Sequence, residues 1–211
     1  MGFRALCRSC TLAVAIALAS TARPVGADAE LTTNEIAALD AGRPVVREET
    51  VERDGRRYTG GVSYILIDAA PGQVAAALDD VRAYKQILPA TRSVRWIGMA
   101  RNGDMLVELE QGNSFAHGKF TVRVKRERAT DDDASTFRFS IDPRFSHDIP
   151  DANGFFHLEA RGDRTLLTYL VMVDLGDGLF RRLFEGRVRR VALSAPALVK
   201  NYVEARRPTG G

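Results

Sequence analysis

Cysteine is nearly absent: the chain holds two, Cys7 and Cys10, and both precede its first apolar run. Everything downstream therefore lacks disulfides, thiol nucleophiles and thiolate metal sites. Histidine is scarce as well, with three in all, His117, His147 and His157. None sits in an H-E-x-x-H pattern, and neither a nucleophile elbow nor a glycine-rich phosphate loop occurs. Charge of one sign is also lacking. The chain has 30 basic and 27 acidic residues, and setting aside Arg4, Arg8, Arg23 and Asp28 of the first 29 residues brings the two close to balance. A nucleic-acid binder needs a clear basic excess, so that class is excluded. There is no internal repeat and no low-complexity tract.

What is present begins with a leader. "MGFRALCRSC" carries Arg4 and Arg8, "TLAVAIALAS" is a short apolar run, and Ala27-Asp28-Ala29 has the A-x-A form of a cleavage site. That layout predicts a secretory signal peptide over 1–29, with an apolar run too short to span a bilayer. A lipoprotein cysteine would follow the run, so no acylation is expected. The mature chain should begin near Glu30 and be exported, to the periplasm or outside the cell.

Residues 30–56 read as a short helix and a connector or edge strand. Thr32 and Glu35 form a capping box, Ile36 and Leu39 an apolar pair, and Gly42 with Pro44 a stop. A strand over 58–68 follows. Next comes "AALDDVRAYKQILPATRSV" (75–93), which reads as one amphipathic helix. Val74, Leu78, Val81, Tyr84 and Leu88 fall on its apolar side and Asp79, Asp80, Arg82 and Gln86 face water, between Pro71 and the stop at Pro89.

Six strands then occupy 93–174, separated by tight turns such as Arg101-Asn102-Gly103, the acidic Asp131–Asp133 and Arg161-Gly162-Asp163. Alternation puts Phe120, Val122 and Val124 on one face, and likewise Phe137, Phe139 and Ile141. Consecutive strands with short turns imply an antiparallel meander. Phe180, Phe184, Val188, Val191, Ala195, Leu198 and Tyr202 then recur at steps of three and four, giving a long helix over 177–205 bent at Pro196. The meander has one apolar face to cover and this is the only long helix available, so the sheet should curl around it.

Strand, helix, six-stranded meander and long amphipathic helix, in that order, resemble the START-like or SRPBCC superfamily: an α+β helix-grip fold of START/Bet v 1 type. The likeness is greatest to its polyketide cyclase/dehydrase, or Coq10-type START, branch. Ile67-Asp68-Ala69-Ala70-Pro71 leading into Val74, "LDDVRAYKQILP" (78–89), "NGFFHLEA" and "RTLLTY" carry it. It covers about residues 57–205, within a START-like domain set at 57–207.

The resemblance implies a cavity between sheet and last helix that takes a lipid, sterol, quinone or polyketide-like molecule. Ligand contacts are expected from Trp96, Phe120, Phe137, Phe139, Phe156, Leu158 and Tyr169 of the sheet. Phe184, Val188 and Val191 of the helix should face them. Arg181, Arg182, Arg187, Arg189 and Arg190 crowd one end of that helix, where they either dock transiently on anionic lipid headgroups or form an ordinary solvated face.

Catalysis has little to work with. "FSHDIPDANG" gathers His147, Asp148 and Asp151 in one loop, the only close polar cluster, yet its composition is also that of an exposed turn. His157 should point outward and His117 should lie in a hairpin loop. No catalytic residue, metal or cofactor is expected. The leading reading is a hydrophobic-ligand carrier. A cyclase- or dehydratase-like enzyme acting in the same cavity is the rival, and a protein-interaction module, suggested by the two-sided apolar strand "LLTYLVMVD", is the third.

Overall fold

Thr32 and Glu35 close the expected capping box. The Thr32 hydroxyl accepts from the Glu35 amide and the Glu35 carboxylate accepts from the Thr32 amide at 2.8 Å. Helix α1 (Thr33–Asp40) follows, and Gly42 at φ +73° ends it. The computed structural model describes residues 30–114, 117–128 and 134–206; the leader and the Asp131–Asp133 turn lie outside them.

The polar segment after α1 is an edge strand, β1 (Val45–Arg53), joined to β2 (Arg56–Ile67) through Asp54 and Gly55, both at positive φ. Two residues at positive φ match the right-handed twist of a tight hairpin. Strands β3 (Thr91–Met99), β4 (Met105–Gly112), β5 (His117–Arg128), β6 (Ser135–Ile141), β7 (Asp151–Arg161) and β8 (Arg164–Asp174) form the expected six-stranded antiparallel meander. The β1–β2 hairpin then adds to β8, giving the order β1-β2-β8-β7-β6-β5-β4-β3.

Both helical excursions depart from their expected form. The first is two helices, α2 (Pro71–Asp79) and α3 (Tyr84–Ile87), with a 3-10 turn between them. Asp80 is extended and its carboxylate accepts from the Arg82 amide at 3.0 Å, capping the new turn. Aspartate prefers that role to a helix interior. The break changes which side chains are buried: Val74, Leu78, Ala83, Tyr84 and Ile87 are enclosed, while Val81 and Leu88 are only partly so.

The last helix is also two, α4 (Leu179–Ala192) and α5 (Ala195–Glu204). Pro196 has no amide to donate and its ring excludes a preceding helical turn, so the chain breaks just ahead of it. The expected stripe therefore loses phase. Ala195, Val199 and Val203 are buried, whereas Leu198 and Tyr202 are half-buried.

Two apolar layers result. On the inner, concave face, α2, α3 and α5 seal one end of the sheet over Ile65, Ile67, Leu158 and Leu167. Lys200 fastens α5, donating to the Leu66 carbonyl at 2.9 Å and pairing with Glu204 at 2.6 Å. On the outer face, Leu39 of α1 covers Val62, Tyr64, Leu66 and Leu166. That second cover accounts for part of the two-sided apolar strand: α1 buries Leu166 on the outer face of β8, while Leu170 and Met172 farther along it are only partly covered.

Several carboxylates are held charged by arginine. A hydrogen bond from Arg47 lowers Glu35 to about 2 and one from Arg95 lowers Glu108 to about 2. Arg144, with Arg123, holds the enclosed Asp142 well below the carboxylate range. Folded values below unfolded ones stabilise above the unfolded value and lose that stabilisation as pH falls towards the folded one. The melting temperature should therefore hold steady from pH 7 to about 5 and fall between about 4.5 and about 2. Asp142→Asn should flatten part of that fall, measured by scanning calorimetry across pH.

Candidate functional site

Alternation along β5 to β8 turns one row of side chains inward, and between that row and α4 the layers do not meet. The result is a cavity of about 890 Å³. Its sheet wall carries Phe120, Val122, Val124, Phe137, Phe139, Phe156, Tyr169 and Val171; Leu78, Tyr84, Ile87 and Leu88 close it below, and Phe184, Val188, Val191 and Ala192 of α4 close it above. Phe139, Phe156 and Tyr169, from three adjacent strands, form an aromatic group with centroids 4.4–6.1 Å apart. Gly154 makes room for it, because a Cβ there would lie 2.6 Å from the Phe139 ring.

Of the expected sheet contacts, Phe120, Phe137, Phe139, Phe156 and Tyr169 line the cavity, as do all three from the helix. Two are placed elsewhere. Trp96 is 48% exposed, because β3 is an edge strand with a neighbour on one side only. Leu158 is fully enclosed where α2 packs over β7, so it belongs to the core and not to the cavity wall. Val122, Val124, Val171 and the α2–α3 residues line the cavity too; alternation and helical spacing place Val122, Val124, Leu78, Tyr84 and Leu88 on apolar faces without marking them as ligand contacts.

Polar groups gather at one end, where the β4–β5 hairpin and the β6–β7 loop meet. Most are already engaged. Gln111 donates to the Pro89 carbonyl and the Thr91 hydroxyl, and Asp148 accepts from the Lys119 amide at 2.8 Å. His117 is the first residue of β5, paired with Gly112, and not a loop residue. The loop cluster does not act as a unit: His147 bonds the Ile149 carbonyl and Asp151 accepts from the Tyr58 hydroxyl. His157 points outward and meets Thr136 at 2.8 Å. Among the described residues no group of His, Cys, Asp and Glu could hold a metal ion.

The five arginines of α4 divide by helix face. Arg181 pairs with Asp177 and Arg189 with Glu48 of β1. Arg187 lines the cavity, while Arg182 and Arg190 are exposed. Leu179 and Leu183 share the outward stripe with Arg190 and are 68% and 64% exposed.

A second hollow, about 1320 Å³, lies across the outer face beside α1. Its cations are largely neutralised in place, Arg123 by Asp142, Arg138 by Glu127 and Arg164 by Asp40. The inner cavity has the apolar enclosure that a small-molecule site needs.

Comparison with solved structures shows the START-like helix-grip fold. A STAR-related lipid transfer protein from Xanthomonas axonopodis superposes with a TM-score of 0.64 at 19% identity, covering 76% of this chain and 93% of that one. Human StAR-related lipid transfer protein 5 gives 0.57 at 10%, covering 75% and 86%. The Zhui aromatase/cyclase from Streptomyces sp. R1128 gives 0.56 at 17%, covering 78% and 99%. No family model and no curated protein sequence matches the chain.

Proposed function

We propose that this chain binds a hydrophobic small molecule in the inner cavity and carries it without transforming it. The observation that supports this most is the cavity's wall of aliphatic and aromatic side chains, where Tyr169 brings a hydroxyl in among Phe120, Phe137, Phe139 and Phe156, away from the polar end at Gln111, His117 and Asp148. Burial pushes that phenol's pKa up, with no neighbouring charge contributing, so it stays neutral and cannot serve as a base. The fold's lipid-transfer neighbours agree with the reading. A cyclase- or dehydratase-like reaction would need an acid–base pair on the lining; His117 and Asp148 lie there at the polar end, and Asp148 is already engaged by the Lys119 amide. Titrating the delipidated protein with a panel of lipids, sterols and quinones tests the proposal; saturable one-to-one binding is expected, and a panel without any binder would defeat it.

Export and membrane contact complete the proposal. Cleavage near Ala29 would release a mature protein starting at Glu30, checked by N-terminal sequencing. The outward stripe of α4, with Leu179, Leu183 and Arg190, and Arg182 beside it, would touch a bilayer next to the cavity: apolar side chains enter the headgroup boundary and arginines meet anionic lipid. Leu179→Ser with Leu183→Ser should weaken sedimentation with phosphatidylglycerol-containing vesicles roughly tenfold, since each buried methylene contributes about 0.8 kcal/mol and only part of each leucine enters. Unchanged sedimentation would exclude α4 as the contact.

A further inference from the structure

Two of the buried tyrosines bond their hydroxyls within the protein. Tyr58 donates to Asp151 and Tyr84 to the Leu78 carbonyl, each at 2.9 Å. Tyr169 does not. It is 5% exposed, it lines the cavity, and no described residue makes a hydrogen bond to its hydroxyl. Its ring is held in place from the side, 4.4 Å from Phe156 and 6.1 Å from Phe139, so the hydroxyl is presented by a rigid mount. Its cross-strand neighbour Ser63 is likewise enclosed, with an Oγ that has no partner. An apolar residue at either position would avoid the desolvation of an unbonded hydroxyl.

The Tyr169 ring is buried but its hydroxyl, unlike the Ser63 Oγ, opens onto the cavity, where a bound molecule can meet it. From these observations we infer that Tyr169 is the specificity determinant of the cavity, donating its hydroxyl proton in a hydrogen bond to a neutral acceptor oxygen carried within the apolar body of the ligand. The inference rests on the carrier reading and narrows it. The acceptor is a carbonyl, ester, ether or hydroxyl oxygen, because among the described residues no charge acts on the Tyr169 hydroxyl, and Arg187, which also lines the cavity, is not a partner of it. A pure hydrocarbon would leave the phenol unpaired, and a ligand with an oxygen at that depth is selected over one without it.

Fluorene and 9-fluorenone, equal in shape and differing by one carbonyl, separate contact from packing. Equilibrium dialysis against the wild type and Tyr169→Phe measures both. The substitution should weaken 9-fluorenone about three- to tenfold, as the loss of one neutral hydrogen bond requires, and leave fluorene within about twofold. The bound ketone's carbonyl stretch should lie at lower wavenumber in the wild type than in Tyr169→Phe. The melting temperature should not fall, because the hydroxyl has no partner to lose among the described residues. Ser63→Ala, which removes an unpartnered hydroxyl that does not line the cavity, should leave the ketone's affinity as it is. Equal changes for both probes in Tyr169→Phe, or an effect of Ser63→Ala as large, would overturn the assignment. Wild-type binding of 9-fluorenone no tighter than fluorene would overturn the assignment alone, whereas a lipid, sterol and quinone panel without any binder would overturn the carrier reading beneath it.

Discussion

Val199→Asp should destabilise the fold severely, while Leu183→Asp, also in the C-terminal helical region, should leave its stability almost unchanged. Val199 is fully enclosed in α5, packed where the helix crosses β2 and β8. Removing it forfeits about 1.5–3 kcal/mol of apolar burial, and an unpaired carboxylate in that position adds several more. A total on the order of 5 kcal/mol approaches the whole stability of a domain this size and lowers the melting temperature by about 10–20 °C. Leu183 stands out in solvent on α4, where substitutions stay within about 0.5 kcal/mol. Thermal denaturation of the two variants decides it. Equal losses would mean that α4 and α5 are one structural unit. A wide gap means that α5 holds the fold and α4 only roofs the cavity.

The second large effect concerns that roof. Val188→Trp should abolish ligand binding, weakening it by at least tenfold, while the melting temperature stays within a few degrees of wild type. Val188 projects into open space opposite the aromatic group, so an indole there occupies ligand volume rather than core volume. In a filled core the same change would cost about 1–3 kcal/mol of overpacking. Here no described side chain of α4 is fully buried, so little has to move. A ligand that buries about 300 Å² of apolar surface gains several kcal/mol at about 25 cal/mol per Å², and excluding it from half of that contact already exceeds a tenfold loss. Displacement of N-phenyl-1-naphthylamine would report it. Wild-type affinity in the variant would show that ligands bind elsewhere. The intrinsic fluorescence of Trp96 is not a substitute readout, since that ring stands at the sheet's edge outside the cavity.

The strands were legible because a period of two leaves no ambiguity about faces: Phe120, Val122 and Val124 point inward as alternation requires. The aromatic lining followed from the same rule. What alternation does not carry is how far along each strand the helices reach. Leu158 and Trp96 both satisfy the inward pattern, yet α2 seals the first into the core and the edge position of β3 leaves the second outside. Helical phase failed where the backbone broke. Asp80 and Pro196 were visible as residues, but a periodic reading carried through them assigns Leu198 and Tyr202 the burial that Val199 and Val203 possess. The division of the α4 arginines was hidden for another reason. Arg189 is held by Glu48 on a strand far away in the chain, a partnership that local spacing cannot contain.

If the inner cavity holds an apolar, oxygen-bearing molecule, that molecule should travel with the folded protein. Native mass spectrometry of the protein, purified from its own host without detergent or delipidation, tests it most directly. The expected spectrum shows a species heavier than the bare chain by one small organic molecule, released intact on denaturation, recovered in organic solvent, and carrying at least one oxygen in its apolar body. A spectrum showing only the bare chain, or an adduct that is a pure ion or a hydrocarbon, would contradict it.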